Sequence, residues 1–192
     1  MSGKQQFDDS VVIECAMQIF WRHGYVAASI DELSAAMGLS RSSLYKRFRD
    51  KEGLFHEVLV TYNSRVMQRM RLVQADTKRE QMNALLLEFV ADAPVKQRSG
   101  GCMLVKACAD ITELPPAGKT AALEGVEAQR VILREIVTAA VSNGELASLT
   151  DIEALVWHFL GVLQATLNLP QIGASRSDLH RMVACAMLAW PR

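Results

Sequence analysis

Between Ser40 and Lys51 the chain sets five cations, Arg41, Lys46, Arg47, Arg49 and Lys51, against the single carboxylate of Asp50, with Glu52 just beyond. The hydroxyls of Ser40, Ser42, Ser43 and Tyr45 are interleaved with them. Such groups hold a phosphate backbone, the cations by releasing its counterions and the hydroxyls by hydrogen bonding. The 192-residue chain as a whole carries 21 Lys and Arg against 21 Asp and Glu, a formal net charge of zero. Attraction to a polyanion therefore has to come from a local patch, and this run supplies one. A solvated helix face also carries such a run, so position along the fold has to decide. Other chemistries lack their residues. There is no Ser/His/Asp order, Gly-rich phosphate loop or carboxylate pair, and His23, His56, His158 and His180 are scattered. The cysteines, Cys15, Cys102, Cys108 and Cys185, form no CxxC pair and read as intracellular thiols. No catalytic residue, cofactor or metal site is expected.

The elements that position the basic run are helices, because 3.6-residue periodicity is everywhere and strand alternation is nearly absent. A first helix starts near Asp8 to Ser10, carries Ile13, Ala16, Met17 and Phe20 on one face and stops at Gly24. A second starts at Ser29, with Glu32 at capping-box spacing, and ends at Gly38. A third opens near Ser40 and ends around Arg47, and a fourth runs from about Lys51 to Val73. Ile30, Leu33, Met37, Leu39, Leu44 and Phe48 face inward, and Gly38 permits a turn that a side chain would obstruct. That is the layout of a helix-turn-helix, whose second helix enters the major groove. Further helices are expected at 76–93, 101–113, 116–142, 150–169 and 175–190. They are separated by Pro94, Gly100-Gly101, Pro115-Pro116, Asn143-Gly144 and Pro170 to Gly173. The expected fold is all-α with about nine helices: an N-terminal three-helix headpiece over 1–50, and a C-terminal helical body over 51–192. The apolar stretch Ile152 to Leu169 contains Glu153, His158, Gln164 and Asn168, and reads as a buried helix with no membrane span. MSGKQQFDDS lacks the apolar core of a signal peptide, so a cytoplasmic location is expected.

The segment IECAMQIFWRHGYVAASIDELSAAMGLSRSSLYKRFRDKEGLF resembles the N-terminal domain of the TetR family of transcription regulators. The resemblance rests on Phe20, Gly24-Tyr25, Ser29-Ile30, Gly38-Leu39-Ser40, Leu44-Tyr45, Phe48 and Lys51-Glu52, in one ungapped register over about a quarter of the chain. It implies a DNA-binding regulator, most often a repressor and in a minority an activator, that dimerises on double-stranded operator DNA. By the same resemblance Ser29, Tyr45 and Lys51 contact phosphates. Arg41, Ser42, Ser43 and Lys46 face base edges or nearby phosphates, and Ser40 belongs to the same surface. Ala28, Ser42 and Arg47 stand where the family often has Thr, Gly and His, so no operator sequence carries over.

For the body, the resemblance implies dimerisation and sensing of an apolar or electrophilic small molecule. Helix 150–169 carries Ile152, Leu155, Val156, Phe159, Leu163, Thr166 and Leu167, and the last helix Leu179, Met182, Val183, Ala186 and Trp190. In the family such a pair meets its symmetry mate as a four-helix bundle, giving a homodimer, and the same faces serve as core. Met67, Met70, Phe89, Cys102, Met103, Trp157, His158 and Phe159 are candidates to line an effector pocket between helices. Residues of these types at helical spacing are equally what a core requires. Cys102 follows Gly100-Gly101 at a helix start, with Lys106 one turn on, and both features would lower a thiol pKa. A Gly-Cys-hydrophobic element here resembles a branch of the family that senses electrophiles. Cys102 is thus either a redox or electrophile sensor or a small hydrophobe packed under the glycine turn.

Overall fold

The computed structural model describes residues 8–90 and 101–190. Among them are nine α-helices and two short 3-10 segments, with no strand. The expected breaks at Pro94 and Gly100 lie outside the described residues, whereas the helix expected over 76–93 is shorter, running Lys78–Glu88 with Phe89 as its C-cap.

Helix α1, Asp9–Ala27, is capped by Asp8, whose carboxylate accepts the Ser10 N–H at 2.9 Å and hydroxyl at 2.6 Å. It buries Val12, Ile13, Ala16, Met17, Ile19 and Phe20. Gly24 does not end it as expected: the backbone kinks there (φ 77°, ψ 176°) and one more turn follows. The carbonyls of Trp21 and Arg22, next to the kink, accept hydrogen bonds from the Lys106 ammonium at 3.0 and 2.8 Å. Those bonds satisfy two carbonyls beside the interrupted ladder. Helix α2, Ile30–Met37, takes its cap from Ser29, whose Oγ accepts the Glu32 N–H at 3.1 Å. The reciprocal half of the expected capping box is absent because the Glu32 carboxylate turns instead to His23 Nε2 on α1, 3.0 Å away.

Helix α3 is Arg41–Phe48, α4 is Lys51–Leu72 and α5 is Lys78–Glu88. Thr77 and Glu80 form a full capping box at the start of α5, and Glu145 lays its carboxylate on the Lys78 and Arg79 N–H groups at 2.9–3.2 Å. Burial raises the Glu145 pKa, but those N–H groups and the Asn143 amide outweigh it and leave the carboxyl below its ordinary value. Helix α6, Met103–Ala109, is shorter than expected, because Ile111 and Glu113 bond back three residues and continue it as turns. Helix α7, Pro116–Ser142, has proline at its first position, where no N–H is needed. Helix α8 is Ile152–Asn168 and α9 is Arg176–Ala186.

The chain divides into two compact units. The first, residues 1–64 and 103–125, gathers α1–α3, the start of α4, α6 and the start of α7. Its core is aromatic: the Phe55 ring lies 4.9 Å from Phe20 and 5.0 Å from Tyr25, and Trp21 meets Tyr62 edge-on at 5.2 Å. Gly125 is required by a close approach, since a Cβ there would lie 2.3 Å from the Asn63 amide. The second unit, residues 65–102 and 126–192, packs α5 against α8 and α9. Met82, Leu85, Leu86, Leu163 and Val183 are buried in it, and Phe159 meets Trp190 at 5.9 Å. Ile152–Ile172 is long and apolar enough to cross a membrane by length and composition alone, yet its Leu155, Val156, Phe159, Leu160 and Leu163 side chains are buried against protein.

Candidate nucleic-acid interface

The turn between α2 and α3 is built by two backbone hydrogen bonds, Gly38 N–H to Ala35 O at 3.2 Å and Leu39 N–H to Ser34 O at 3.0 Å. This is a Schellman pattern, and it holds Gly38 in the left-handed region (φ 64°, ψ 24°). Gly38 is needed for its backbone conformation and not, as its position suggests, for want of space. A Cβ there would meet nothing within 4 Å, so the dihedral demands glycine and crowding does not. Ser40 then caps α3: its Oγ accepts the Ser43 N–H at 3.1 Å and lies 2.9 Å from the hydroxyls of both Ser42 and Ser43. Leu44 and Phe48 are buried and fix the helix by its inner face. Arg41, Ser42, Tyr45 and Lys46 are exposed, and Ser43 is half-buried.

The basic run divides by partner. Arg41 bonds to the Asp31 carboxylate on α2, with Nε to Oδ1 at 2.6 Å, and that bond holds its guanidinium pKa above the ordinary value. Arg47 is held by four hydrogen bonds. Nε and Nη2 reach Asp9 Oδ2 at 3.0 and 2.9 Å, while Nη1 and Nη2 reach Glu57 at 2.9 and 3.1 Å. Its guanidinium also lies 4.6 Å from the Phe48 ring centre. The side chain ties α3 to α1 and α4, and the Asp9 and Glu57 bonds raise its pKa. Lys51 donates to the Val26 carbonyl at 3.2 Å from over the Tyr25 ring, and burial lowers its pKa. Among the described residues, Lys46, Arg49 and Lys51 are the cations of this run that no carboxylate pairs. Asp50 caps α4 through the Gly53 N–H at 2.7 Å, and a Cβ on Gly53 would lie 2.2 Å from the Phe48 carbonyl oxygen. Asp9, Asp31 and Glu57 were not foreseen. They lie 10 to 38 residues from their arginines, beyond any local spacing rule.

The candidate pocket residues of the body are not brought into one cavity among the described residues. Met70 is buried and contributes, with Ile132 and Ile136, to a cleft of about 170 Å³ in the second unit. Met103 is buried in the first unit, beside a small cleft lined by Phe20, Tyr25 and Phe55. Met67 is half-buried. Phe89 is buried under the Arg69 guanidinium, 4.7 Å from its ring centre. Trp157 is 55% exposed, with Arg130 over its ring at 4.2 Å. His158 Nε2 lies 3.1 Å from the Ala186 carbonyl, and Phe159 is fully buried. Cys102 is 1% exposed, and its N–H donates to Asn168 Oδ1 at 3.1 Å. The Lys106 ammonium, one turn on in the sequence, is bonded to the α1 carbonyls of Trp21 and Arg22.

Comparison with known proteins agrees with this geometry. Residues 12–58 match the bacterial regulatory proteins of the tetR family, and residues 78–186 match the tetracyclin repressor-like C-terminal domain. The chain is 28% identical over 190 residues to the HTH-type transcriptional repressor ComR of Escherichia coli (strain K12), covering 96% of this chain and 90% of that protein. It is 24% identical over 188 residues to the HTH-type transcriptional regulator YezE of Bacillus subtilis (strain 168), covering 95% and 94%. A cysteine mutant of the TetR family regulator CifR, solved with 26-bp double-strand operator DNA, superposes with a TM-score of 0.85 at 30% identity over 97% of this chain and 99% of that one. Two family domains that between them span most of the sequence, on an all-helical fold with a capped helix-turn-helix, place this chain in the TetR family of DNA-binding transcriptional regulators.

Proposed function

We propose that this regulator is a homodimeric repressor, acting in the cytoplasm and without catalysis, that leaves its operator when a small molecule binds. In this reading residues 1–50 bind DNA, and residues 51–192 bind the effector and dimerise. One observation carries it: the Ser40 cap and the buried Leu44 and Phe48 leave Arg41, Ser42, Tyr45 and Lys46 together on the open side of α3. Ser29, Tyr45 and Lys51 are assigned to phosphates, and Arg41, Ser42, Ser43 and Lys46 to base edges or neighbouring phosphates, with Ser40 orienting them. Asp31 supports the role of Arg41, since a guanidinium already bonded on one edge is preorganised to offer the other edge to a guanine.

Dimerisation is supported by the outer faces of α8 and α9. Ala154, Trp157, Gly161 and Ala184 are exposed there, and Leu188, in the 3-10 turn that follows α9, is 76% exposed. Small residues beside large apolar ones suit close packing of a second copy. The test is footprinting of the DNA beside the gene, followed by binding of the protected fragment to wild type and to an Arg41→Ala, Tyr45→Phe, Lys46→Ala triple variant. Losing three contacts of about 1–3 kcal/mol each should weaken binding by at least about 100-fold. Undiminished binding by the triple variant would remove α3 from the interface.

A further inference from the structure

Among the described residues, Arg49 is the one residue other than glycine with a positive φ. It stands between α3 and α4 with φ 73° and ψ −51°. Those angles are near a γ-turn conformation that is rare and strained for a residue with a Cβ, whereas glycine adopts it freely. The local backbone does not ask for arginine. Its N–H closes the last turn of α3 on the Tyr45 carbonyl at 2.9 Å, a bond that any residue but proline supplies. Lys46 and Arg47 already complement the C-terminal end of that helix. The Arg49 side chain is exposed and, among the described residues, has no hydrogen bond or ion pair. The adjacent carboxylate is engaged elsewhere, since Asp50 accepts the Gly53 N–H at 2.7 Å and caps α4. A strained backbone thus carries a cation that the fold does not use. Strain of that kind gathers at binding sites, so the partner of Arg49 is sought outside the chain.

Position and charge narrow what that partner is. In a helix-turn-helix the N-terminal residues of the second helix meet base edges. The eight residues of α3 advance about 12 Å at 1.5 Å each, so Arg49 stands that far beyond Arg41, past the residues assigned to bases. What borders the bases along the groove is the phosphate backbone, and a guanidinium can fork two N–H donors onto one phosphate. Of the arginines in α3 and the turn after it, Arg41 is bonded to Asp31, and Arg47 to Asp9 and Glu57. Arg49 keeps the whole fork open. Lys46 before it and Lys51 after it are likewise unpaired by carboxylates among the described residues, so the local field at Arg49 favours an anion.

We propose that Arg49 is a DNA-backbone contact, a phosphate clamp at the end of α3 that is kept at the expense of stability. The inference rests on the reading that α3 faces the operator. It is tested on the full-length protein with the footprinted operator fragment, by measuring affinity over a series of KCl concentrations and melting temperature without DNA. Arg49→Gly removes charge and strain together, Arg49→Ala removes the charge alone, and Arg49→Lys removes neither. Arg49→Gly is expected to melt at or above wild type, and above Arg49→Ala, because glycine relieves the positive φ. The glycine and alanine variants should both lower the slope of log K against log salt by about 1.8, one phosphate in each protomer of the dimer. At about 0.1 M salt both should bind the operator at least about tenfold more weakly. Arg49→Lys should keep the slope. A turn that had only become looser would weaken binding with the slope unchanged, and that result would overturn the proposal. So would an Arg49→Gly protein melting several degrees below wild type, which would reveal a structural partner for the side chain, or an Arg49→Lys slope that falls as far as that of Arg49→Ala. The Arg41→Ala, Tyr45→Phe, Lys46→Ala triple variant separates this proposal from the reading beneath it. Undiminished binding by the triple variant beside a lowered slope for Arg49→Ala would remove α3 from the interface and keep Arg49 in it. Weakened binding by the triple variant beside an unchanged slope for Arg49→Ala would strike Arg49 alone.

Discussion

Arg47 sits on the helix proposed to read DNA, yet its guanidinium is bonded to Asp9 and Glu57 and stacked on Phe48. Lys46, its neighbour, is exposed and meets no carboxylate among the described residues. Adjacent cations therefore have different work, one orienting α3 against α1 and α4 and the other available to phosphate. Lys46→Ala should leave the melting temperature close to wild type and reduce the slope of log K against log salt by about 1.8, the loss of one phosphate contact in each protomer of the dimer. Arg47→Ala should do the reverse, lowering the melting temperature by a few degrees and weakening operator binding with the slope unchanged. Its side chain is 42% exposed, so the network contributes roughly 1 kcal/mol and no more. A fall in slope for Arg47→Ala matching that of Lys46→Ala would place Arg47 on the backbone as well. The sequence made the basic run visible because residue types are explicit in it. It hid the division of labour, because Asp9 lies 38 residues from Arg47 and reaches it only through the fold.

At the scale of elements, what was legible is what is local. Helices α2, α3 and α7 run close to where their caps and breakers placed them, since Ser29, Gly38, Ser40 and Pro116 act on their own neighbours. What was not legible depends on partners far along the chain. Glu145 caps α5 from 67 residues away, and Lys106 supports the kink in α1 from 84 and 85 residues away. Gly38 shows the difference between a correct position and a correct cause. If its dihedral is the constraint, Gly38→Ala should destabilise the protein by roughly 1–2 kcal/mol although the added methyl has open space. Gly38→Asn should cost less, because asparagine tolerates the left-handed region. Thermal melts of the two variants decide it. Equal costs for both would mean that bulk, and not φ, governs the turn.

At the scale of the whole molecule the family was readable from one ungapped motif, whereas the grouping of α6 and the start of α7 with the first helices was not, because it is set by packing between distant segments. Dimerisation can be separated from folding at a single position. Gly161 lies in the middle of α8, is exposed, and a Cβ on it would meet nothing within 4 Å. Within one protomer, Gly161→Glu therefore has room. It should raise helix stability slightly, since an interior glycine costs about 1 kcal/mol relative to good helix formers. Between two copies packed through α8 and α9, the same side chain would put volume and an unpaired charge into the contact. The expected result is a protein with wild-type helix content that sediments as a monomer at micromolar concentration. A lone headpiece spans one half-site, so operator binding should weaken by at least about 100-fold as the effective concentration conferred by the second headpiece is lost. Gly161→Ala, too small to block the contact, should remain dimeric and bind as wild type does. A dimeric Gly161→Glu with undiminished operator affinity would move the interface off this face of α8.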